Sequence, residues 1–258
     1  MKNDKLYNID EIRDKIKQHW TPYLQMTKDS FESYHEGMAV DNHLHRNSDP
    51  EYIEYMLGPI TRSPNWWKGK KALDFGCGCG RNIKNLLDAG DFLRVDGCDI
   101  SLKNSQYSKK YVEQFYDSSK THTWETDGYT LKPAPDEEYD YVMSHIVFQH
   151  IANYAIRISI LADIYRVLKP AGMININFMD LPADSAVLPA VEYFSCYPPV
   201  DTEPSEIGME EFALLNCVVE DKENIINDFL VLGFKDVVCH TGTDVGTGNC
   251  SYYAWGLK

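Results

Sequence analysis

The chain has 258 residues, 43% of them hydrophobic and 25% charged, ordinary globular usage that excludes a collagen-like or disordered polymer. Lys and Arg number 25 against 39 Asp and Glu, a formal net charge of −14, and so acidic a surface repels phosphate backbones and disfavours a nucleic-acid partner. No run approaches the roughly 20 uninterrupted apolar residues of a membrane-spanning helix, and no apolar stretch follows Met1-Lys2-Asn3-Asp4-Lys5, so neither a membrane span nor a signal peptide is expected.

In chain order, residues 1–66 read as an N-terminal helical cap. Ile9, Ile12 and Ile16 recur at helical spacing, and Asp49-Pro50-Glu51 is a helix start that Gly58-Pro59 stops. From Lys71 strands and helices alternate. Ala72–Phe75 is a first strand entering a glycine loop, Asn82–Ala89 a helix closed by Gly90, and Phe92–Cys98 a second strand. Ser101 caps a helix running to about Tyr116, Thr121–Thr126 is a third strand, and Tyr139–Ser144 a fourth. Ile151–Leu168 is a long helix ending at Lys169-Pro170-Ala171-Gly172, before a fifth strand at Met173–Phe178. Residues 179–220, interrupted by prolines, read as a lid or substrate-binding insert. Glu223–Leu232 is a helix, and the strands Phe234–Cys239 and Ser251–Leu257 are linked closely enough to pair antiparallel. Repeated strand–helix units imply an α/β fold with a parallel sheet, right-handed crossovers and a ligand at the carboxyl ends of the strands.

The seven cysteines are an odd number and scattered, which fits reduced thiols in a cytoplasmic protein. Cys77-Gly78-Cys79 is too tight for a metal hairpin, and no metal is expected. The strongest signal is Asp74-Phe75-Gly76-Cys77-Gly78-Cys79-Gly80, an acidic residue followed by glycines at alternate positions. Such glycines let the backbone turn sharply and approach a ligand without Cβ obstruction. A dinucleotide fingerprint would need glycine where Arg81 stands, which speaks against a nicotinamide oxidoreductase. Asp99, 19 residues after Gly80, ends the second strand, where a carboxylate can accept from both ribose hydroxyls of an adenosyl ligand or cap the next helix.

On these residues the chain resembles the class I S-adenosylmethionine-dependent methyltransferases of small-molecule type, over roughly Trp67 to the C-terminus. The resemblance implies a Rossmann-like three-layer sandwich whose seven-stranded, mostly parallel sheet has an antiparallel last strand. The strand reading above, five plus two, gives the same number. It implies S-adenosylmethionine as cofactor, S-adenosylhomocysteine as product, and a domain over 67–258. Asp74, Gly76, Cys77, Gly78, Gly80 and Asn82 would form the cofactor loop, with Asp99 and Ile100 at the ribose. Thr126-Asp127-Gly128 resembles the stretch that contacts the adenine amino group, and the run from Ser144 to Ile151 the one that frames donor and acceptor.

Methyl transfer to oxygen or ammonium nitrogen needs a proton acceptor. His150 and then His145, just past the fourth strand, are the candidate bases. The acceptor, expected to be a small molecule, would lie under the cap and the insert, lined by His43 (with His45 nearby), Tyr193, Phe194 and Tyr197. A monomer or homodimer is expected. Rival readings are a protein methyltransferase, an aminopropyltransferase-like enzyme and a non-catalytic S-adenosylmethionine-binding module.

Overall fold

Strands form where apolar residues run unbroken, because a parallel sheet covered on both faces buries both sets of alternating side chains. In the computed structural model, which describes residues 9–20, 65–151, 153–179, 193–195, 216–219, 221–243 and 250–258, these strands are Lys71–Phe75 (β1), Arg94–Asp99 (β2), Thr123–Glu125 (β3), Tyr139–Ser144 (β4) and Leu168–Met179 (β5). Tyr193–Ser195 (β6) and Asn216–Val218 (β7) follow, then Lys235–Thr243 (β8) and Cys250–Leu257 (β9). The helices are Ile9–Trp20 (α1), Arg81–Ala89 (α2), Leu102–Val112 (α3), Tyr154–Val167 (α4) and Lys222–Val231 (α5).

Seven strands form one sheet in the order β3-β2-β1-β4-β5-β9-β8. The pairs among β1 to β5 are parallel, and β9 is antiparallel to both β5 and β8. This is the expected Rossmann-like sheet with its antiparallel last strand. Strand order reverses between β1 and β4, so a crevice opens at their carboxyl ends. On one face Ala72, Val95, Tyr141 and Met143 pack with Ile83, Leu86 and Leu87 of α2 and Val112 of α3. On the other, Leu73, Phe75, Val142, Ile174 and Ile176 share a core with Ile156, Ile160 and Ile164 of α4 and Ile225 and Phe229 of α5.

Three local differences from the sequence reading have identifiable causes. β5 begins at Leu168, directly after α4, and carries Lys169-Pro170-Ala171-Gly172 inside it as an irregularity. Leu168 pairs with Tyr139 and pairing resumes at Met173 with Tyr141, while Ala171 takes φ +60. β3 is only three residues long, and α3 ends at Val112. Within the 179–220 insert, β6 and β7 pair in parallel as a separate two-stranded sheet. Val219, which follows β7, donates its N–H to the Met179 carbonyl at 2.9 Å and so ties the insert to the end of β5.

The connection between β3 and β4 contains no helix over residues 126–138. Helix α1 stands on that side of the sheet, with Ile12 and Ile16 buried in the core that includes Cys98, Trp124 and Leu131. The face predicted from Ile9, Ile12 and Ile16 is therefore the packed one. The helix predicted at 49–57 and residues His43, His45 and Tyr197 lie outside the described residues, among which no helix is long and apolar enough to cross a membrane.

Candidate functional site

The three loop glycines do three different things. Gly76 has φ +73, and a Cβ there would meet Val147 Cγ2 at 2.4 Å, so the residue is bare to let the segment after β4 close over the loop. Gly80 has φ +92 and begins α2, and its missing side chain makes room for Ser108 of α3, whose Oγ would lie 2.7 Å from a Cβ. Gly78, between them at φ +50, has nothing within 4 Å of its Cβ position. Packing accounts for the first and third glycines. The middle one faces open space, the property of a cradle.

Two buried carboxylates flank that cradle. Asp74 near the end of β1 is 1% exposed, and neither carboxylate oxygen has a hydrogen-bond partner among the described residues. Burial pushes its carboxyl up to about 8, with Asp99 adding to the rise and the Arg81 guanidinium opposing it. Asp99 at the end of β2 is held differently. Its Oδ1 accepts from the Ser101 N–H at 2.9 Å and the Asn104 amide at 3.0 Å, and its Oδ2 accepts from the Gly78 N–H at 2.9 Å. Burial raises the Asp99 carboxyl, and those three donors work against the rise. A carboxylate has about four acceptor positions, so Oδ2 retains one for a ligand hydroxyl. The cap of α3 is Ser101, which accepts from the Asn104 N–H, so Asp99 is a latch between the glycine loop and β2 rather than the cap itself. Sequence reading missed Asn104. Its signal was an amide three residues after a capping serine.

At the far side of β2, Thr126 is buried and its N–H donates to the Asp99 carbonyl at 2.8 Å. Asp127 is exposed and closes its own turn, accepting from the N–H groups of Tyr129 and Thr130 at 2.8 and 2.7 Å. Gly128 takes φ +84 beside the half-buried Ile100, whose Cδ1 would lie 3.1 Å from a Cβ. Asn82, in the first turn of α2, is buried and accepts from Arg81 Nε at 3.3 Å. Cys77 turns its side chain into the core beneath Gly97, and burial raises its thiol well above the usual range, so only its backbone belongs to the loop surface. Ser144 is fully buried with its hydroxyl donated to the Phe75 carbonyl at 2.9 Å, which makes it a strut between β4 and β1.

Past β4 the backbone is strained. Ile146 has φ +60, a left-handed conformation that a β-branched residue rarely adopts, and its N–H is held by Asn177 Oδ1 of β5 at 2.7 Å. Phe148 then anchors a 3₁₀ turn over Phe148–His150, packing edge-on against Phe75 and Phe178 at 6.0 and 5.4 Å. The two histidines separate here. His145 is 5% exposed with its ring 5.6 Å from that of Tyr253, whereas His150 is half-buried with Nε2 3.3 Å from Gln149 Nε2. Tyr193 and Phe194 lie on β6, which pairs with β7. No group of three His, Cys, Asp or Glu among the described residues could hold a metal ion.

Known proteins share this fold. Residues 73–176 match the methyltransferase domain family. A demethylmenaquinone methyltransferase of Staphylococcus epidermidis is 27% identical over 193 residues, covering 71% of this chain and 76% of that protein. A solved S-adenosylmethionine-dependent methyltransferase of Methanosarcina mazei superposes with a TM-score of 0.59 at 14% identity, over 78% of this chain and 97% of its own. Phosphoethanolamine N-methyltransferase 2 of Haemonchus contortus, solved with phosphomonomethylethanolamine and S-adenosylhomocysteine, gives 0.61 at 16% identity, over 96% of this chain and 60% of its own. The family match spans β1 to β5, the strands that carry the glycine cradle and both carboxylates, and residues 73–176 are a methyltransferase domain.

Proposed function

We propose that this chain transfers a methyl group from S-adenosylmethionine to an oxygen or nitrogen atom of a small-molecule acceptor. The observation that carries the reading is Asp74, a buried carboxylate without a hydrogen-bond partner among the described residues, beside a glycine whose Cβ position is empty. Buried polar groups in folded proteins are almost always paired, so a partnerless one in a ligand crevice fits a group supplied from outside. The ammonium of an amino-acid moiety suits it. The residues therefore fit this cofactor.

Bound S-adenosylmethionine would supply an electrophilic sulfonium methyl, which an acceptor atom would take in line as the C–S bond breaks and S-adenosylhomocysteine leaves. The chain's own work is to align, to exclude water and to remove a proton. Asp74 holds the ammonium, and Gly78 leaves the approach open. Asp99 accepts from one ribose hydroxyl at its remaining position, while Ile100, Thr126, Asp127 and Gly128 border the adenine. Asn82 and the backbone of Cys77 complete the loop. His150 at its half-buried position is the first candidate base, and His145, packed on Tyr253, is the second. The insert carrying Tyr193 and Phe194, together with His43 and Tyr197, lines the acceptor.

A small acceptor is favoured because the relatives' names specify demethylmenaquinone and phosphoethanolamine, both small molecules, and because a chain of net charge −14 suits no polyanion. The test is incubation with methyl-labelled S-adenosylmethionine and a panel of hydroxylated and amine acceptors, reading S-adenosylhomocysteine and product mass. Label on an acceptor is expected. Transfer of an aminopropyl group, or binding without turnover on any acceptor, would overturn the reading.

A further inference from the structure

The crossover between β3 and β4 is the one among β1 to β5 that lacks a helix, and α1 fills its place. The docking is specific. Ile12 and Ile16 are 2% and 6% exposed, Lys17 Nζ lies 2.5 Å from Glu125 Oε1 at the end of β3, and Tyr129 donates its hydroxyl to Asp10 at 2.9 Å. One side chain of α1 reaches the donor site. The methylene stem of Arg13 lies against Gly128, 2.8 Å from where a Cβ would stand, on the side where Ile100 Cδ1 approaches to 3.1 Å. Its guanidinium sits 5.1 Å from the centre of the Tyr129 ring and 2.7 Å from Asp14 Oδ1. Gly128 is therefore bare because Arg13 and Ile100 meet over it.

Resting on the reading of Ile100 and residues 126–128 as the adenine border, we propose that α1 is the outer wall of the adenine slot. Arg13 is its positioning residue, and cofactor capture tightens the docking of α1. The apolar stem of Arg13 covers the base edge while the charged head remains on Tyr129 and Asp14, the usual division of a long cationic side chain. Ligand contact on α1 must also raise the protection of α1, because binding and docking are linked reciprocally.

The experiment uses the full chain and two probes, S-adenosylhomocysteine and 5′-methylthioadenosine, which share the adenosine and differ in the amino-acid moiety. Calorimetry of Arg13→Ala should show both probes weakened by a similar factor, roughly tenfold for loss of an apolar contact over the base. Arg13→Met, which keeps a stem, should retain most of the affinity. Asp74→Asn should weaken S-adenosylhomocysteine and spare methylthioadenosine. Hydrogen exchange on the unmodified chain should show α1 amides slowing when either probe is added. Unaltered affinity in Arg13→Ala with only a lowered melting temperature makes α1 a packing element and overturns the proposal, as do α1 amides indifferent to ligand. A chain that binds neither probe overturns the donor-site reading, and the wall falls with it.

Discussion

At the scale of single residues the glycine motif separates into packing and access. Gly76→Ala places a Cβ 2.4 Å from Val147 Cγ2 at φ +73, so thermal melting should report a loss of about 1–3 kcal/mol from strain and overpacking. Gly78→Ala adds its Cβ to open space and should cost only about 1 kcal/mol for the left-handed backbone, yet calorimetry should show weaker S-adenosylhomocysteine binding. Comparable melting and binding in the two variants would contradict this division. Asp74 gives a pH signature. Its carboxyl is raised to about 8 in the ligand-free fold from an ordinary 3.8, so the folded state holds a proton that the unfolded chain has released between those values. Its contribution to stability is present at acidic pH and is lost as pH rises through about 8. An ammonium ligand favours the ionised form, so affinity for S-adenosylhomocysteine should climb by up to about tenfold per pH unit below pH 8 and then level. Asp74→Asn should flatten that profile, and a slope that survives the substitution assigns the proton to another group.

At the scale of elements, the turn after β4 is where local and global preferences conflict. Ile146 is forced into a left-handed conformation by the Asn177 amide below and by Phe148, which is drawn into the aromatic contacts with Phe75 and Phe178. Ile146→Gly relieves the backbone and should raise stability by about 1 kcal/mol in a denaturant titration, the cost of the left-handed region for a side-chain-bearing residue. Asn177→Leu should do the reverse, by roughly 1–3 kcal/mol, since a part-buried N–H loses its acceptor. If Ile146→Gly destabilises, side-chain packing outweighs strain at this turn. The helices hold no such conflict. Asn153 caps α4 by accepting the Ile156 N–H at 3.0 Å, and Asp221 caps α5 by accepting the Glu223 N–H at 3.0 Å.

At the scale of the molecule, one buried carboxylate ties the amino-terminal half of the sheet together, away from the site. Asp96 of β2 is 1% exposed, pairs with Arg94 at 2.8 Å, and accepts from the Tyr139 hydroxyl of β4 at 2.8 Å and the His122 N–H before β3 at 2.9 Å. Arg94 reaches Glu138 at 3.1 Å, which Lys71 of β1 meets at 2.7 Å, so four strands share one charge network. Asp96→Ala should cost about 2–4 kcal/mol by equilibrium unfolding, because the Tyr139 hydroxyl and the His122 N–H lose their acceptor and Arg94 keeps only Glu138. Tyr139→Phe, which removes one donor, should cost about 1–2 kcal/mol. Near-equal costs would mean that the hydroxyl, not the ion pair, carries the network.

The sequence by itself determined the strand–helix alternation, the antiparallel final pair and the Asp74–Gly80 loop. Each of these rests on local information: runs of apolar residues, capping side chains, and glycines at φ values other residues avoid. The three-residue β3, the inclusion of Lys169–Gly172 within β5 and the β6–β7 pair were not legible, because each owes its conformation to a neighbouring strand rather than to its own residues. Only the tertiary structure decided which loop glycine is open, since that depends on Val147 and Ser108, each more than twenty-five residues away in sequence. The same holds for Asp74 lacking a hydrogen-bond partner among the described residues while Asp99 has three, and for the different burial of His145 and His150. It also placed α1 beside Gly128, whereas the sequence pattern showed only that one face of the helix is apolar. Periodicity tells a segment which face to bury, and the shape left bare by a missing crossover helix tells it where.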